Sequence, residues 1–368
     1  MKIGQIAPPW IAIPPKNYGG TEQVIYQLVE EQVAQGHDVT LFAPGDAKTS
    51  ARLVSFFPQS LLTAGESWQA HLKAYYHFHC ATEYIKEHTF DVVHTHLSSA
   101  ADLYLFPLMA SLSTPHVTTL HSRFPFDRAP KSRLGRADEY YMHWISEVPM
   151  VAISQSARAE APKDLCIVDV VHHGLSMKDF HPTRKRQGDF FAWLGRFVPE
   201  KGTHLAIEAA KQAGVPLVLA GTIDRYVKEA LRYFHEEIEP QIDDKQIKYI
   251  GPANMKQKLN LFSGARGFLN PIEWEEPFGM VMIEAMSVGC PVISFARGAA
   301  PEIVVDGKTG FLVQNLAEMV QAIPQIGEID REATRLHVEH NFSAQVMTEH
   351  YTQVYKEVIA MRKAATTS

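Results

Sequence analysis

Short apolar runs alternate with amphipathic segments along almost the whole chain, and this alternation limits the fold more than any other feature. In the first half the strand candidates are Lys2–Ala7, Asp38–Ala43, Asp91–His94, His116–Leu120, Met150–Ile153 and Ile167–His172. The clearest helical pattern between them is Thr21–Gln35, where Val24, Ile25, Leu28, Val29 and Val33 make one stripe. Thr21 reads as its N-cap, and Gly36 stands where a left-handed residue ends a helix. The second half repeats the style with strands at Phe190–Leu194, Val215–Ala220, Gln246–Ile250, Gly267–Asn270 and Pro291–Phe295, and with helices after Gly202, Asp224, Asn254 and Gly279. Strands of about five residues, each followed by a helix of about ten to fifteen, predict parallel sheets covered on both faces. The rhythm runs twice, interrupted by the polar, basic, Pro-containing stretch Gly174–Gln187. The expectation is two doubly wound α/β domains facing one another across a cleft, with ligands beyond the carboxyl ends of the strands.

Length agrees: 368 residues at roughly 150 per domain give about two cores. Hydrophobic residues at 46% and charged residues at 21% supply enough apolar chain that no disulfide or metal staple is needed. The three cysteines, Cys80, Cys166 and Cys290, are too scattered for a disulfide framework or zinc knuckle and read as buried thiols in a reducing compartment. A net charge of −6, with no basic half, excludes a dedicated nucleic-acid binder. No apolar run approaches the roughly 18 residues of a membrane span. Met1-Lys2 runs straight into strand-like Ile3–Ile6, so the chain reads as cytoplasmic, without a signal peptide.

The segment richest in chemistry is Pro271–Ile293, which reads as strand end, loop, helix and strand. Pro277 disfavours helix just before it, and Gly279 allows a close backbone approach. A helix of about ten residues then runs toward Gly289, and its first N–H groups and dipole suit a phosphate. Glu276 precedes the helix and Glu284 lies within it; read alone, both simply solvate a loop and a helix. Together with Pro277-Phe278-Gly279, Ala285-Met286 and Gly289-Cys290-Pro291-Val292, however, they resemble the E-x7-E signature of retaining GT-B glycosyltransferases of family 4. Gly195-Arg196-Phe-Val-Pro-Glu200-Lys201-Gly202 is similar to the G-R-x4-K-G segment of the same family. Cations belong in such a place, because a departing nucleoside diphosphate carries its charge on phosphate oxygens. Arg297–Ile303 and Asp306–Val313 also resemble family segments, with Ala299 where a second Gly is frequent.

That resemblance implies a GT-B fold: an acceptor-side domain over 1–175, a donor domain over 176–345, and a final helix, 346–368, crossing back to the first domain. It implies that Arg196 and Lys201 stabilise the diphosphate, that Glu276 holds the sugar, and that Glu284 takes the ribose hydroxyls. Phe278, Gly279 and Met280 line the donor. In the first half it puts Gly19 and Gly20, between strand and helix, near the diphosphate and acceptor, and His121 against the transferred sugar. His94 and His96 share a strand face but lack a ligand set for zinc, His173 is given no role, and no metal site is expected. No Asp-x-Asp occurs to hold a divalent cation, so no cofactor or obligatory metal is expected. Arg123, Arg128, Lys131, Arg133 and Arg136 form a basic loop that reads as solvated, with an anionic acceptor or peripheral membrane contact as the functional alternative.

The expected activity is therefore metal-independent, retaining transfer of a hexose from a nucleoside-diphosphate sugar to a hydroxyl acceptor. The Pro14–Glu22 stretch is similar to bacterial members acting on small acceptors, including pteridine glucosyltransferases, which favours a UDP-hexose over GDP-mannose. A sugar-nucleotide epimerase and a non-catalytic two-lobed receptor are the alternatives. Donor-only conversion would mark the first, and free-sugar binding without nucleotide the second.

Overall fold

In the computed structural model, residues 1–16, 19–98, 102, 105–122, 146–183, 188–224 and 227–367 are described. The basic residues Arg123, Arg128, Lys131, Arg133 and Arg136, and Tyr18, lie outside them. Contacts divide the chain into two units, Met1–Gly174 with Ala344–Ser368, and Leu175–Ser343.

The first unit is a parallel sheet of seven strands: β1 (Lys2–Ile6), β2 (Asp38–Phe42), β3 (Arg52–Val54), β4 (Val92–Leu97), β5 (His116–Leu120), β6 (Met150–Ala152) and β7 (Ile167–Val170). Their spatial order is β3-β2-β1-β4-β5-β6-β7, so the winding reverses between β1 and β4. Ile6, Trp10, Phe42, Phe78, Val93 and Phe106 fill one face, and Ile25, Val29, Val39 and Leu41 part of the other. The helix Gly20–Ala34 starts one residue earlier than the sequence suggests. Gly19 is its N-cap and makes no side-chain bond, so Thr21 sits inside the first turn and does not cap it. Gly36, at φ 83°, takes the left-handed role expected of it.

This helix is buried beyond its apolar stripe, with Glu22, Gln27 and Gln32 also inside. The cover is the 24-residue helix Ala344–Thr367, the last of the chain, which returns to pack on the first unit. Tyr351, Val354 and Val358 from its predicted stripe are buried, as are Met347 and Tyr355.

The second unit is a parallel sheet of six strands: β8 (Phe191–Arg196), β9 (Leu217–Thr222), β10 (Ile247–Tyr249), β11 (Phe268–Asn270), β12 (Val292–Phe295) and β13 (Gly310–Val313). The order β10-β9-β8-β11-β12-β13 again reverses beside its first strand, between β8 and β11. Trp193, Phe197, Ile207, Leu219, Phe234 and Ile293 belong to its core. Two parallel-sheet α/β units of this kind make the GT-B fold. Sequence periodicity missed β3 and β13. The first is three residues on an edge, and the second opens on Gly310, where a Cβ would lie 2.0 Å from the Val292 carbonyl oxygen.

The cysteine expectation needs correction. Cys290 is buried, and burial pushes its thiol up to about 12, but Cys80 and Cys166 are only half-buried. Cys80 lies on the helix His71–Glu87, which shows solvent Leu72, Tyr75 and Tyr76.

Candidate functional site

In a doubly wound sheet the crevice opens where neighbouring strands lead their loops in opposite directions. In the second unit those strands are β8 and β11, and the two segments singled out in the sequence are the loops leaving them. Arg196 is the last residue of β8, and Lys201 and Gly202 end the turn behind it. Gly202 holds φ 66°, and a Cβ there would stand 1.9 Å from the Pro271 carbonyl oxygen, so only glycine lets the two loops approach. The Glu273 amide donates to the Glu200 carbonyl at 2.9 Å, and Trp193 Nε1 to that of Lys201 at 3.3 Å.

This contact brings Lys201 and Glu276 together although 75 residues separate them. The Nζ ammonium pairs with Oε2, which also accepts from Trp274 Nε1 at 3.1 Å. Lys201 Nζ stands 5.2 Å from the centre of the Trp274 ring, a cation–π distance. The pair is mostly buried, with 21% and 13% of the two side chains exposed. Arg196 differs: its Nε is buried and has no hydrogen-bond partner among the described residues. A guanidinium nitrogen removed from water without an acceptor costs free energy, which an anion at the loop would recover.

The Glu276 backbone is clamped from a third loop. The Ala299 amide donates to its carbonyl at 2.9 Å, and the Gly298 amide to Glu275 Oε2 at 2.6 Å. Gly298 has φ 56°, and a Cβ on it would lie 2.3 Å from the Glu276 nitrogen and oxygen. Gly279, at φ 89°, then turns the chain into the helix Met280–Ser287. Phe278 is buried edge-on against Phe342 and anchors that turn, while Met280 is half-exposed at the helix start. Glu284 is 6% exposed, and its Oε1 takes Lys258 Nζ at 2.5 Å. Lys258 escaped the sequence reading, because nothing local ties the helix Met255–Gly264 to Glu284.

The remaining site candidates belong to the first unit. Gly19 leaves room where a Cβ would meet Pro15 Cβ at 2.8 Å and Glu22 Oε2 at 2.9 Å, and Gly20 opens the helix. Glu22 is buried and its carboxyl is pushed up to about 7: desolvation dominates, its own backbone amide opposes, and the Asp102 charge adds to the rise.

His121 follows β5 and joins a line of imidazoles. Its Nε2 lies 2.9 Å from His96 Nδ1, and its Nδ1 lies 3.4 Å from His173 Nε2. His96 Nε2 meets Gln5 Oε1 at 2.8 Å. His94, two residues before His96 on the same strand face, bonds Tyr355 Oη through Nδ1 and Thr119 Oγ1 through Nε2, both at 2.7 Å. Burial holds His94, His96 and His121 well below the usual imidazole range and pushes His173 down to about 3, so all four are neutral at pH 7. Among the described residues no group of three or more His, Cys, Asp or Glu could hold a metal ion. These nitrogens face one another or an amide or hydroxyl, not a common point. His173, given no role from sequence, stacks on His121 with ring centres 5.0 Å apart. No helix among the described residues is long and apolar enough to cross a membrane.

Two family models match the chain, "Glycosyltransferase Family 4" over residues 18–187 and "Glycosyl transferases group 1" over 178–338. Spore coat protein SA of Bacillus subtilis (strain 168) is 21% identical over 97% of this chain and 100% of its own length. The phosphatidyl-myo-inositol mannosyltransferase of Mycolicibacterium smegmatis is 24% identical over 85% of this chain and 81% of its own. Among solved structures, Anabaena Alr3699/HepE in complex with UDP and glucose superposes with a TM-score of 0.71 at 18% identity, covering 97% of this chain and 99% of that one.

Proposed function

The chain belongs to the glycosyltransferases of family 4 and acts with nucleotide-sugar donors, and from that premise we propose how it does so: a hexose leaves a nucleoside diphosphate and joins a hydroxyl acceptor with retention and without a metal. The observation that carries this reading is the pair of loops at the β8/β11 reversal, with Arg196 Nε buried and unpartnered among the described residues. In this reading Arg196 and Lys201 take the diphosphate oxygens, and the first amides of the helix Met280–Ser287 add N–H donors. Lys201 and Glu276, paired with each other, separate to meet opposite ends of the donor: the ammonium takes phosphate and the carboxylate takes sugar hydroxyls. Glu284, steadied by Lys258, accepts from the ribose hydroxyls. From the first unit, His121 meets the transferred sugar, and Gly19 and Gly20 give their backbone to donor or acceptor.

The chemical step needs no protein nucleophile. The bond from the anomeric carbon to the phosphate oxygen breaks, the acceptor oxygen bonds the same carbon on the same face, and the acceptor proton passes to the leaving phosphate oxygen. Protein cations lower the barrier by stabilising charge that grows on that phosphate. A UDP-hexose is the favoured donor and GDP-mannose the second. The UDP and glucose of the Anabaena complex favour the first, and the mannosyl transfer named for the mycobacterial relative favours the second.

A panel of UDP-, GDP- and ADP-sugars, read by nucleotide release with and without EDTA, tests this. The expected result is preferential release from one UDP-hexose at a rate EDTA leaves unchanged. Release from none of the donors, or loss of the rate in EDTA, would contradict it.

A further inference from the structure

The hydrogen bonds behind His121 fix which of its nitrogens carries the proton. Tyr355 Oη has one hydrogen and two lone pairs. Gln5 Nε2 (3.1 Å) and Gln32 Nε2 (3.0 Å) both donate to it, so its own hydrogen goes to His94 Nδ1. Gln5 Nε2 gives its other hydrogen to Gln32 Oε1 at 2.9 Å. Both amide hydrogens of Gln5 are then used, and its Oε1 is left to accept from His96 Nε2. His96 is neutral with its hydrogen on Nε2, so its Nδ1 is a lone pair and accepts from His121 Nε2.

No other arrangement satisfies the group. Turning the Gln5 amide alone sets two carbonyl oxygens against each other, and turning Gln32 alone sets two NH2 groups together. Turning both asks the single Tyr355 hydrogen to serve two carbonyl oxygens. The members are buried, where an unmade bond of this kind costs about 1–3 kcal/mol. His121 is therefore an Nε2–H imidazole whose lone pair is on Nδ1. The neighbour of that atom, His173 Nε2, is at 3.4 Å, at the long end of hydrogen-bond range, and gives its hydrogen to that lone pair.

We propose that His96, held by Gln5, is a positioning residue that keeps His121 in the Nε2–H form, so that its Nδ1 serves as acceptor, never donor, for a hydroxyl of the transferred sugar. This rests on the reading of His121 as a sugar contact. The ligand hydroxyl gives its hydrogen to Nδ1 and replaces the long contact with His173. The ring cannot turn over to offer an N–H instead without breaking the line that ends on the last helix of the chain.

Long-range proton–nitrogen NMR spectra of the full chain, labelled with 15N-histidine, read the tautomer directly. The His121 signals are identified by their loss in His121→Ala. The expected spectrum shows His121 protonated on Nε2 and bare on Nδ1. In His96→Leu the tautomer becomes mixed and kcat/KM for the donor falls about tenfold, the effect of one misdirected hydrogen bond. In His96→Asn, whose Oδ1 falls where Nδ1 stood, both return toward the wild-type values. An Nδ1–H signal for His121 in the wild type, or a Leu variant that keeps both tautomer and kcat/KM, would overturn the proposal. If the Leu variant does not fold, the wild-type spectrum still decides it. Full turnover by His121→Ala would instead remove the sugar contact, while the wild-type tautomer pattern would stand.

Discussion

Glu22 shows how far one side chain can sit from its ordinary chemistry. It occupies the first turn of the helix Gly20–Ala34 and is buried, and its carboxyl is pushed from 4.5 to about 7. Between those values the folded chain holds a proton that the unfolded chain releases, so this group's contribution falls as pH rises and is lost above about 7. Glu22→Gln keeps the shape and removes the charge. The variant should match wild type near pH 4.5 and exceed it at pH 8 by up to about 3 kcal/mol, read from urea unfolding at the two pH values. At this scale the sequence was partly legible. Gly19, Gly20, Arg196, Lys201, Glu276 and Glu284 stand out through the family segments they resemble, since Glu276 and Glu284 read alone only solvate a loop and a helix. Lys258 and Trp274 do not, because each becomes relevant only through a partner set by folding, Glu284 and the Lys201–Glu276 pair. His96, set aside as a metal ligand, took its role from Gln5 and His121, neither of which is near it in the chain.

Among the elements, the last helix binds the most distant parts of the first unit. Tyr355 bonds Gln5 of β1, Gln32 of the first helix and His94 of β4, and Tyr351 bonds Thr119 of β5. Its apolar stripe was readable from Val346, Tyr351, Val354 and Val358, since a period near 3.6 survives whatever the helix packs against. Its polar function was not, because a tyrosine in a stripe looks like packing until its hydroxyl finds partners. Tyr355→Phe keeps the ring and deletes the atom three buried groups share. The expected loss is about 3 kcal/mol by urea denaturation, with the fold retained, whereas Lys356→Ala on the exposed side should change little. Strands were legible as short apolar-rich segments between helical patterns, and lost at β3 and β13, edge strands of three and four residues, the second opening on Gly310. The N-cap was misplaced because Thr21 has the right chemistry but Gly19 has the room, with Pro15 and Glu22 pressed against it.

Across the whole molecule, length and rhythm gave two α/β units, and contacts draw their borders at Gly174–Leu175 and Ser343–Ala344. The net charge of −6 describes neither unit's chemistry, since Arg196 and Lys201 share one reversal point, where Glu276 pairs with Lys201. Each sheet reverses once, and in the second unit both signature segments leave the strands at that reversal. The reversal brings together motifs 75 residues apart, which in the sequence only the family resemblance joined. The central claim is that these cations stabilise a departing nucleoside diphosphate. It is tested most directly by nucleotide release from the preferred donor in the double variant Arg196→Ala, Lys201→Ala, with its unfolding temperature measured alongside. The account predicts a fall of about a hundredfold or more with the fold intact; release at the wild-type rate from the folded variant would contradict it.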